Sequence, residues 1–272
     1  MIPPLDHKPH AFTLLELVVV IAMIAALTTL LVPALASLKT ANDLTNAAYT
    51  IKEVLEQART YARVNNTYAW VGFFEENGSI ASTNPPIAGN GRLVISSVAS
   101  TDGTTVYGST SGAIDPTRLI QIARLIRINN VHLPLLAIGT GTGDTLDGRP
   151  ALQFEPIAGY NYSRFGELNA ASPHTAPHTN SQYPFQYPVG NPAPVAQYTF
   201  LKTLQFGPRA ESRINGNNYD IRRVIEIGLL QTRGSVVPAA ADGAGTTTAT
   251  YNGNVIAIQI SGFGSTVKLY RR

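Results

Sequence analysis

The sequence predicts an α+β fold: a long N-terminal α-helix, with a transmembrane half and an amphipathic half, packed on an antiparallel β-rich globular head. Three observations lead to this prediction. No charged residue occurs between Leu17 and Leu38. Beyond Lys39, apolar residues recur at a spacing of three to four, which is the helical period. The rest of the chain is rich in Gly and Pro, and only 14% of all residues are charged, which favours strands and loops over a helical bundle.

The apolar run predicts the transmembrane half of the helix, which we place at residues 12–38. As a helix, Leu17 to Leu38 spans about 33 Å, enough for a bilayer core of about 30 Å. A core helix of a globular protein is rarely apolar on every face over such a length. Residues 1–11 form a polar leader before this run.

The amphipathic half is predicted at residues 39–66, and residues 67–272 form the head. One stripe of the helix carries Leu44, Ala48, Ile51, Leu55, Ala58 and Ala62. Polar residues such as Lys52 and Glu56 occupy other faces, and Asn65-Asn66 is a plausible stop. The stripe is expected to pack on the head.

Three interpretations of the N-terminus compete. The first is a cleaved signal peptide, because Ala34-Leu35-Ala36 before Ser37 has the small residues of a cleavage site. The apolar run, however, exceeds the usual 7–15 residues of a signal peptide. The second is an uncleaved anchor in which Glu16 lies at the membrane boundary. The third is processing before Phe12.

The segment Phe12-Thr13-Leu14-Leu15-Glu16, followed by an apolar helix, resembles the prepilin cleavage and methylation motif. The resemblance implies that a prepilin peptidase cleaves between Ala11 and Phe12 and methylates the new amino group of Phe12. It makes Glu16 a subunit-assembly residue, and it matches Pro33 to a proline that kinks the helix. The chain departs from the family at Ala11, where Gly is usual.

Two further stretches carry narrower resemblances. Residues 55–76 resemble the GspH/FimT type of minor pseudopilin, and residues 38–76 resemble Verru_Chthon cassette protein D. The likeness implies a structural subunit, a minor pilin or pseudopilin, of a type IV pilus or type II secretion-like filament. Its implied partners are the prepilin peptidase, other pilin or pseudopilin subunits and the bacterial cytoplasmic (inner) membrane. The chain would cross that membrane once, with a periplasmic or extracellular head.

Glu16 fits this interpretation physically. A carboxylate near the bilayer interior costs about 2.5–3.5 kcal/mol or more unless it is paired. Cleavage before Phe12 creates an α-amino group four residues away, and in the family this amine of one subunit pairs with the Glu of a neighbour. The helix dipole also favours an anion near the N-terminus.

The head is predicted to consist of strands joined by loops. A short helix is expected from Asp115-Pro116 to Ile122, and a Pro-rich irregular loop at residues 172–195. A tight hairpin turn is expected at Asn77-Gly78. Strands are predicted at residues 68–74, 93–98, 124–133, 151–154, 199–206, 223–230, 255–261 and 266–270.

The sequence contains no convincing catalytic set, so we expect a protein that is not an enzyme and has no cofactor and no metal site. The chain has no Cys, which excludes disulfides and thiol chemistry. His174 and His178 suit a metal only on a helix, and the prolines at positions 173 and 177 oppose one. Asp144 and Asp147 leave a weak calcium site open.

A membrane-anchored binding module at a filament tip, for DNA or a surface, is the alternative function. Its basis is a set of basic residues near the C-terminus: Arg222, Arg223, Lys268, Arg271 and Arg272. A net charge of +3 is far from that of a dedicated nucleic-acid binder, so nucleic acid is an unlikely partner.

Overall fold

The computed structural model describes residues 14–106, 112–137, 139–152, 163–165, 183–214, 221–238 and 254–271. The chain divides into two compact units, Met1–Asn42 and Asp43–Arg272. The first unit contains, in its described part, only the beginning of a helix. The second contains the remainder of that helix and every strand.

The helix α1 runs over Leu14–Val64. Its end is closed by backbone hydrogen bonds from the amide of Thr67 to the carbonyl of Ala62 (2.9 Å) and from Asn65 to Tyr61 (3.0 Å). Asn66 has φ = 49°, a left-handed conformation that Asn tolerates better than most residues. The helix therefore ends where the Asn pair predicts a stop.

The strands form two larger antiparallel sheets and one ribbon. A five-stranded sheet has the order β3-β2-β1-β7-β8, a four-stranded sheet has the order β11-β10-β9-β4, and β5 pairs with β6. The bounds are β1 Ala69–Asn77, β2 Gly91–Ser100, β3 Leu119–Asn129, β4 Val131–His132, β5 Phe185–Tyr187, β6 Tyr198–Phe200, β7 Lys202–Phe206, β8 Ser212–Ile214, β9 Val224–Gln231, β10 Val255–Ser261 and β11 Val267–Arg271.

One apolar core joins the second part of α1 to both sheets. Successive residues of a strand point to opposite faces, so Val71 and Phe73 of β1 face this core, whereas Trp70 faces the other side. All six residues of the predicted helical stripe are buried in it, together with Ile227 of β9 and Ile258 of β10. A second cluster, around Trp70, lies between the five-stranded sheet and the β5–β6 ribbon.

The chain passes from one sheet to the other at Asn130. This residue separates β3 from β4 and has φ = 60°. Its amide donates to the carbonyl of Gly91 in the first sheet (2.6 Å), and its carbonyl accepts from the amide of Thr232 beside the second (2.9 Å). The backbone amide and carbonyl of Asn130 are therefore both hydrogen-bonded, although the chain changes direction at this residue.

Several predicted elements of the head differ from the structure. The helix expected as far as Ile122 is a 3-10 helix, η1, at Pro116–Arg118, and β3 follows at once because its residues pair with β2. Asp115 does cap η1, accepting from the amide of Thr117 (2.9 Å). Ala151 and Leu152 are not in a strand, and residues 153–154 lie outside the described part.

The predicted Pro-rich loop at residues 172–195 also contains regular structure. Its described part, from residue 183, includes β5. Tyr183 and Phe185 of this part are buried in the second cluster, around Trp70. These aromatic side chains pack against the head itself. Burial against β6 and the five-stranded sheet is a long-range effect that composition does not reveal.

The predicted fold class, a pilin-like α+β arrangement with a transmembrane half at residues 12–38, is wrong. The described residues form mostly antiparallel sheet with two helices, α1 and η1. Within the described part of the chain, neither helix is long and apolar enough to cross a membrane. The predicted single-pass location in the inner membrane, with its transmembrane helix, is corrected on the same finding.

Candidate assembly surface

The first part of α1 carries an apolar surface that no described residue covers. From Leu17 to Ile21 every side chain is at least 43% exposed. Because consecutive helical residues are rotated by about 100°, five in succession point in all directions. Leu14 and Leu27 are 81% and 60% exposed. The bare surface therefore runs around the helix rather than along one stripe.

In the second unit, the apolar stripe of the same helix is covered. Ile51, Leu55 and Ala58 are all 0% exposed, because the strands of both sheets surround their stripe. Contiguous apolar patches on monomeric proteins rarely exceed a few hundred Å², and larger ones mark interaction sites. The contrast within one element makes residues 14–29 a candidate interaction surface.

Two threonines lie within this surface without adding unsatisfied polar groups. The hydroxyl of Thr28 donates to the carbonyl of Ala25 (2.9 Å), and that of Thr29 donates to Ala26 (2.8 Å). Such bonds to the preceding turn hide the hydroxyl hydrogen from an apolar neighbour. The surface is therefore able to pack against another apolar surface at its C-terminal end.

Of the residues predicted from the prepilin-like motif, Glu16 and Pro33 lie within α1. Glu16 lies in the first turn, exposed and flanked by the exposed Leu15 and Leu17. Ala11 and Phe12 lie outside the described residues, so cleavage between them and methylation of Phe12 stay predictions. The helix continues through Pro33, and a kink there also stays a prediction.

A buried ionic cluster joins the two sheets. Glu75 of β1 lies with its Oε2 2.5 Å from Nζ of Lys202 and its Oε1 2.6 Å from Nδ1 of His132. The amide of Leu133 also donates to Oε1 (2.9 Å). Burial raises the pKa of Glu75, but the charges of Lys202 and His132 outweigh it and hold that pKa well below its usual range. The carboxylate stays ionised inside the core.

A second buried cluster lies on the four-stranded sheet. Arg149 forms two bonds with Glu226 of β9, Nε to Oε2 at 2.5 Å and Nη2 to Oε1 at 3.0 Å. The amide nitrogen of Gln259 donates to the same carboxylate (2.9 Å). Arg164 donates to the carbonyl of Leu136 (2.7 Å), and burial lowers its pKa to about 10. The bonds tie loop segments to the sheet.

Sequence reasoning missed both clusters, although one signal was present. Glu226 stands alone among Ile and Leu in a strand that is otherwise apolar, and a lone carboxylate in such a run indicates a buried ion pair. Its partner Arg149 lies in a loop 77 residues away, and no local pattern connects the two. The carboxylates of Glu75 and Glu226 are bonded to basic side chains of the protein itself, so we interpret both clusters as structural.

The remaining candidate chemistry does not converge on a site. His174 and His178 lie outside the described residues. Asp144 and Asp147 are exposed on a turn, and within the ranges given above the structure gathers no group of three or more metal-binding side chains. Lys268 and Arg271 leave opposite faces of β11, because side chains alternate along a strand. The basic residues predicted as a patch are thus split at this edge.

Comparison with protein-family models, with curated proteins and with solved structures finds no match to this chain.

Proposed function

We propose that this protein is a structural subunit of a helical filament, of the minor pilin or pseudopilin kind found in type IV pili and type II secretion-like assemblies. The observation that carries the proposal is the bare apolar surface of α1 over residues 14–29. The subunit polymerises when this surface packs against the same surface of neighbouring copies or related subunits. The role is structural rather than catalytic.

The energetics favour such packing. Ten large apolar side chains of this surface, from Leu14 to Leu27, are each at least 43% exposed. Fully burying one such side chain contributes about 1.5–3 kcal/mol. Association costs about 4–15 kcal/mol. The free energy gained by burying all ten side chains, even partly, exceeds the lower end of this cost. A helix with apolar residues on every side also contacts several neighbours at once, as the centre of a filament requires.

Glu16 then acts as the residue that sets the register between subunits. Inside a filament core made of apolar helices, an ionised carboxylate is costly unless a cation pairs with it. Cleavage by a prepilin peptidase between Ala11 and Phe12 supplies such a cation, the new α-amino group. A neighbour's amine placed against Glu16 satisfies both charges, and only one relative position of the helices allows it.

The first test concerns processing. The full chain is produced together with a prepilin peptidase, and the mature N-terminus is read by mass spectrometry. We expect the chain to begin at Phe12 and to carry a methyl group on its amine. A mature chain that begins at Ser37 would remove the apolar helix and refute the proposal in favour of an ordinary signal peptide.

The second test concerns assembly. Filaments are sheared from cells that carry an assembly system, and incorporation of the chain is measured by immunoblotting. We expect Glu16→Ala to reduce incorporation on the order of tenfold or more, as loss of one partner of a buried charge pair predicts. Glu53→Ala, an exposed Glu on the same helix, serves as the control and should incorporate normally. Equal incorporation of both variants would contradict the role of Glu16.

A further inference from the structure

A groove of about 650 Å³ opens beside the end of α1. It is bounded by the α1–β1 link with Asn66 and Tyr68, the β7–β8 turn with Arg209, and the β10–β11 turn with Phe263. Its volume lies within the range of about 300–1,000 Å³ that is usual for ligand sites. No part of the apolar helix surface described above contributes to it.

The two turns that form the groove are fixed to each other. The amide of Ser212 donates to the carbonyl of Gly262 (2.9 Å), and the hydroxyl of Ser265 donates to the carbonyl of Ala210 (2.7 Å). Glu211 and Phe263 also form an antiparallel bridge. The walls are therefore held in place by backbone contacts between the two sheets.

Unusual backbone conformations concentrate around this groove. Five non-Gly residues have positive φ in the part of the chain that the structure describes, and three of them border it: Asn66 (49°), Ala210 (66°) and Ser265 (49°). Such conformations are unfavourable for residues with a Cβ and persist where the surrounding structure enforces them, often at binding sites. Here they shape the end of α1 and the two turns.

Three side chains at the groove offer interactions that the described residues leave unused. Arg209 is exposed and forms no ion pair or hydrogen bond with any described residue. The side-chain amide of Asn66 is exposed and likewise makes no such bond within the described ranges. Phe263 is 66% exposed, although a large ring is normally at least partly covered.

We propose that this groove binds an acidic peptide segment of a partner protein, one in which a carboxylate lies next to an apolar side chain. The planar guanidinium of Arg209 matches a carboxylate with two parallel hydrogen bonds. The amide of Asn66 carries two donors and one acceptor, the complement of a peptide N–H and C=O. Phe263 provides the apolar surface for the adjacent side chain.

The charges around the groove favour a peptide over a nucleic acid. Glu211 lies in the lining with its Oε1 3.3 Å from Nη2 of Arg213, so one of the two lining guanidiniums is already paired. A phosphate backbone gains affinity from several cations in a row, and it is repelled by a carboxylate in their midst. The exposed guanidinium of Arg209, beside the ring of Phe263, suits a single carboxylate next to an apolar side chain.

Fluorescence anisotropy with the full chain tests the proposal. The probe is a labelled eight-residue peptide of Gly and Ser that contains one central Asp-Leu pair, and its matched control contains Asn-Leu instead. We expect saturable binding of the acidic peptide and affinity lower by about tenfold or more for the amide peptide. A labelled oligonucleotide that binds more tightly than the acidic peptide would overturn the ligand class.

Three variants localise the binding. Arg209→Gln should weaken binding by about tenfold or more, because a charge-assisted bond is lost. Asn66→Gly retains a residue that adopts positive φ freely and removes only the amide, so it should weaken binding several-fold with an unchanged melting temperature. Arg124→Gln, an exposed Arg of β3, is the control. Unchanged affinity of Arg209→Gln, or no saturable binding up to millimolar acidic peptide, overturns the proposal.

Discussion

Removal of the amphipathic part of α1 is predicted to unfold the head, whereas removal of the first unit is not. The division at Asn42 and Asp43 leaves all described buried core residues in the second unit. We therefore compare two fragments, 43–272 and 67–272. The first retains the helical stripe, and the second exposes the faces of the sheets that the stripe covers.

The magnitude follows from four large side chains. Leu44, Ile51, Val54 and Leu55 are between 0% and 4% exposed. At about 1.5–3 kcal/mol for each buried side chain, they contribute about 6–12 kcal/mol together. Domains of this size are stable by about 5–15 kcal/mol in total. Fragment 67–272 thus loses an amount comparable with its entire stability.

Circular dichroism with thermal melting, and size-exclusion chromatography, measure the outcome. Fragment 43–272 should melt cooperatively and elute as a folded species, and 67–272 should lack a cooperative transition or aggregate. If 67–272 instead melts cooperatively within a few degrees of the longer fragment, the helix contributes little to the core and the reasoning is refuted.

A point substitution gives the same test without truncation. Leu55→Ala in the full chain should cost about 2–5 kcal/mol, since the cavity forms among well-packed neighbours. For a domain of this length the melting temperature falls by about 4–20 °C. Glu53→Ala changes an exposed residue two positions away and should stay within about 0.5 kcal/mol of the unchanged protein. Equal effects of the two would contradict burial of the stripe.

Two further predictions concern the head. Burial raises the folded-state pKa of Glu75, but the charge of Lys202 outweighs burial and lowers this pKa. The ionised carboxylate therefore stabilises the fold above its unfolded-state pKa of about 4.3, and this stabilisation is lost as the pH falls below that value. Glu75→Gln should therefore lower the free energy of unfolding in urea by about 3–5 kcal/mol at pH 7. Between about pH 5 and pH 2 the variant should lose less stability than the unchanged protein does. The same dependence of stability on pH in both proteins would contradict this. Gly72→Ala should destabilise by about 1–3 kcal/mol in the same assay, since the added Cβ would lie 2.6 Å from Cβ of Phe200. Gly143→Ala has nothing within 4 Å of the new atom, and a comparable cost there would refute the steric reason.

The assembly surface is the part of the candidate function that local patterns revealed. The run of apolar residues from Leu17 predicts an apolar helix surface independently of the rest of the chain. The membrane-spanning prediction was wrong, because no helix in the described part of the chain is long and apolar enough to cross a membrane. The groove at Arg209, by contrast, has no signature in the sequence, since its residues come from four separate segments.

Features that depend only on neighbours along the chain could be predicted before the fold was known. The helical stripe from Leu44 to Ala62 and the stop at Asn65 follow from side-chain period and backbone preference, which act within a turn or two. Features that depend on pairing between distant segments could not be predicted in this way. The Asn77-Gly78 pair does not make a tight hairpin, because β2 begins only at Gly91 and pairs with β1 in the register Asn77 to Gly91. Charges such as Glu226 enter the core because a guanidinium from a remote loop compensates them there, and only the folded chain brings the two together.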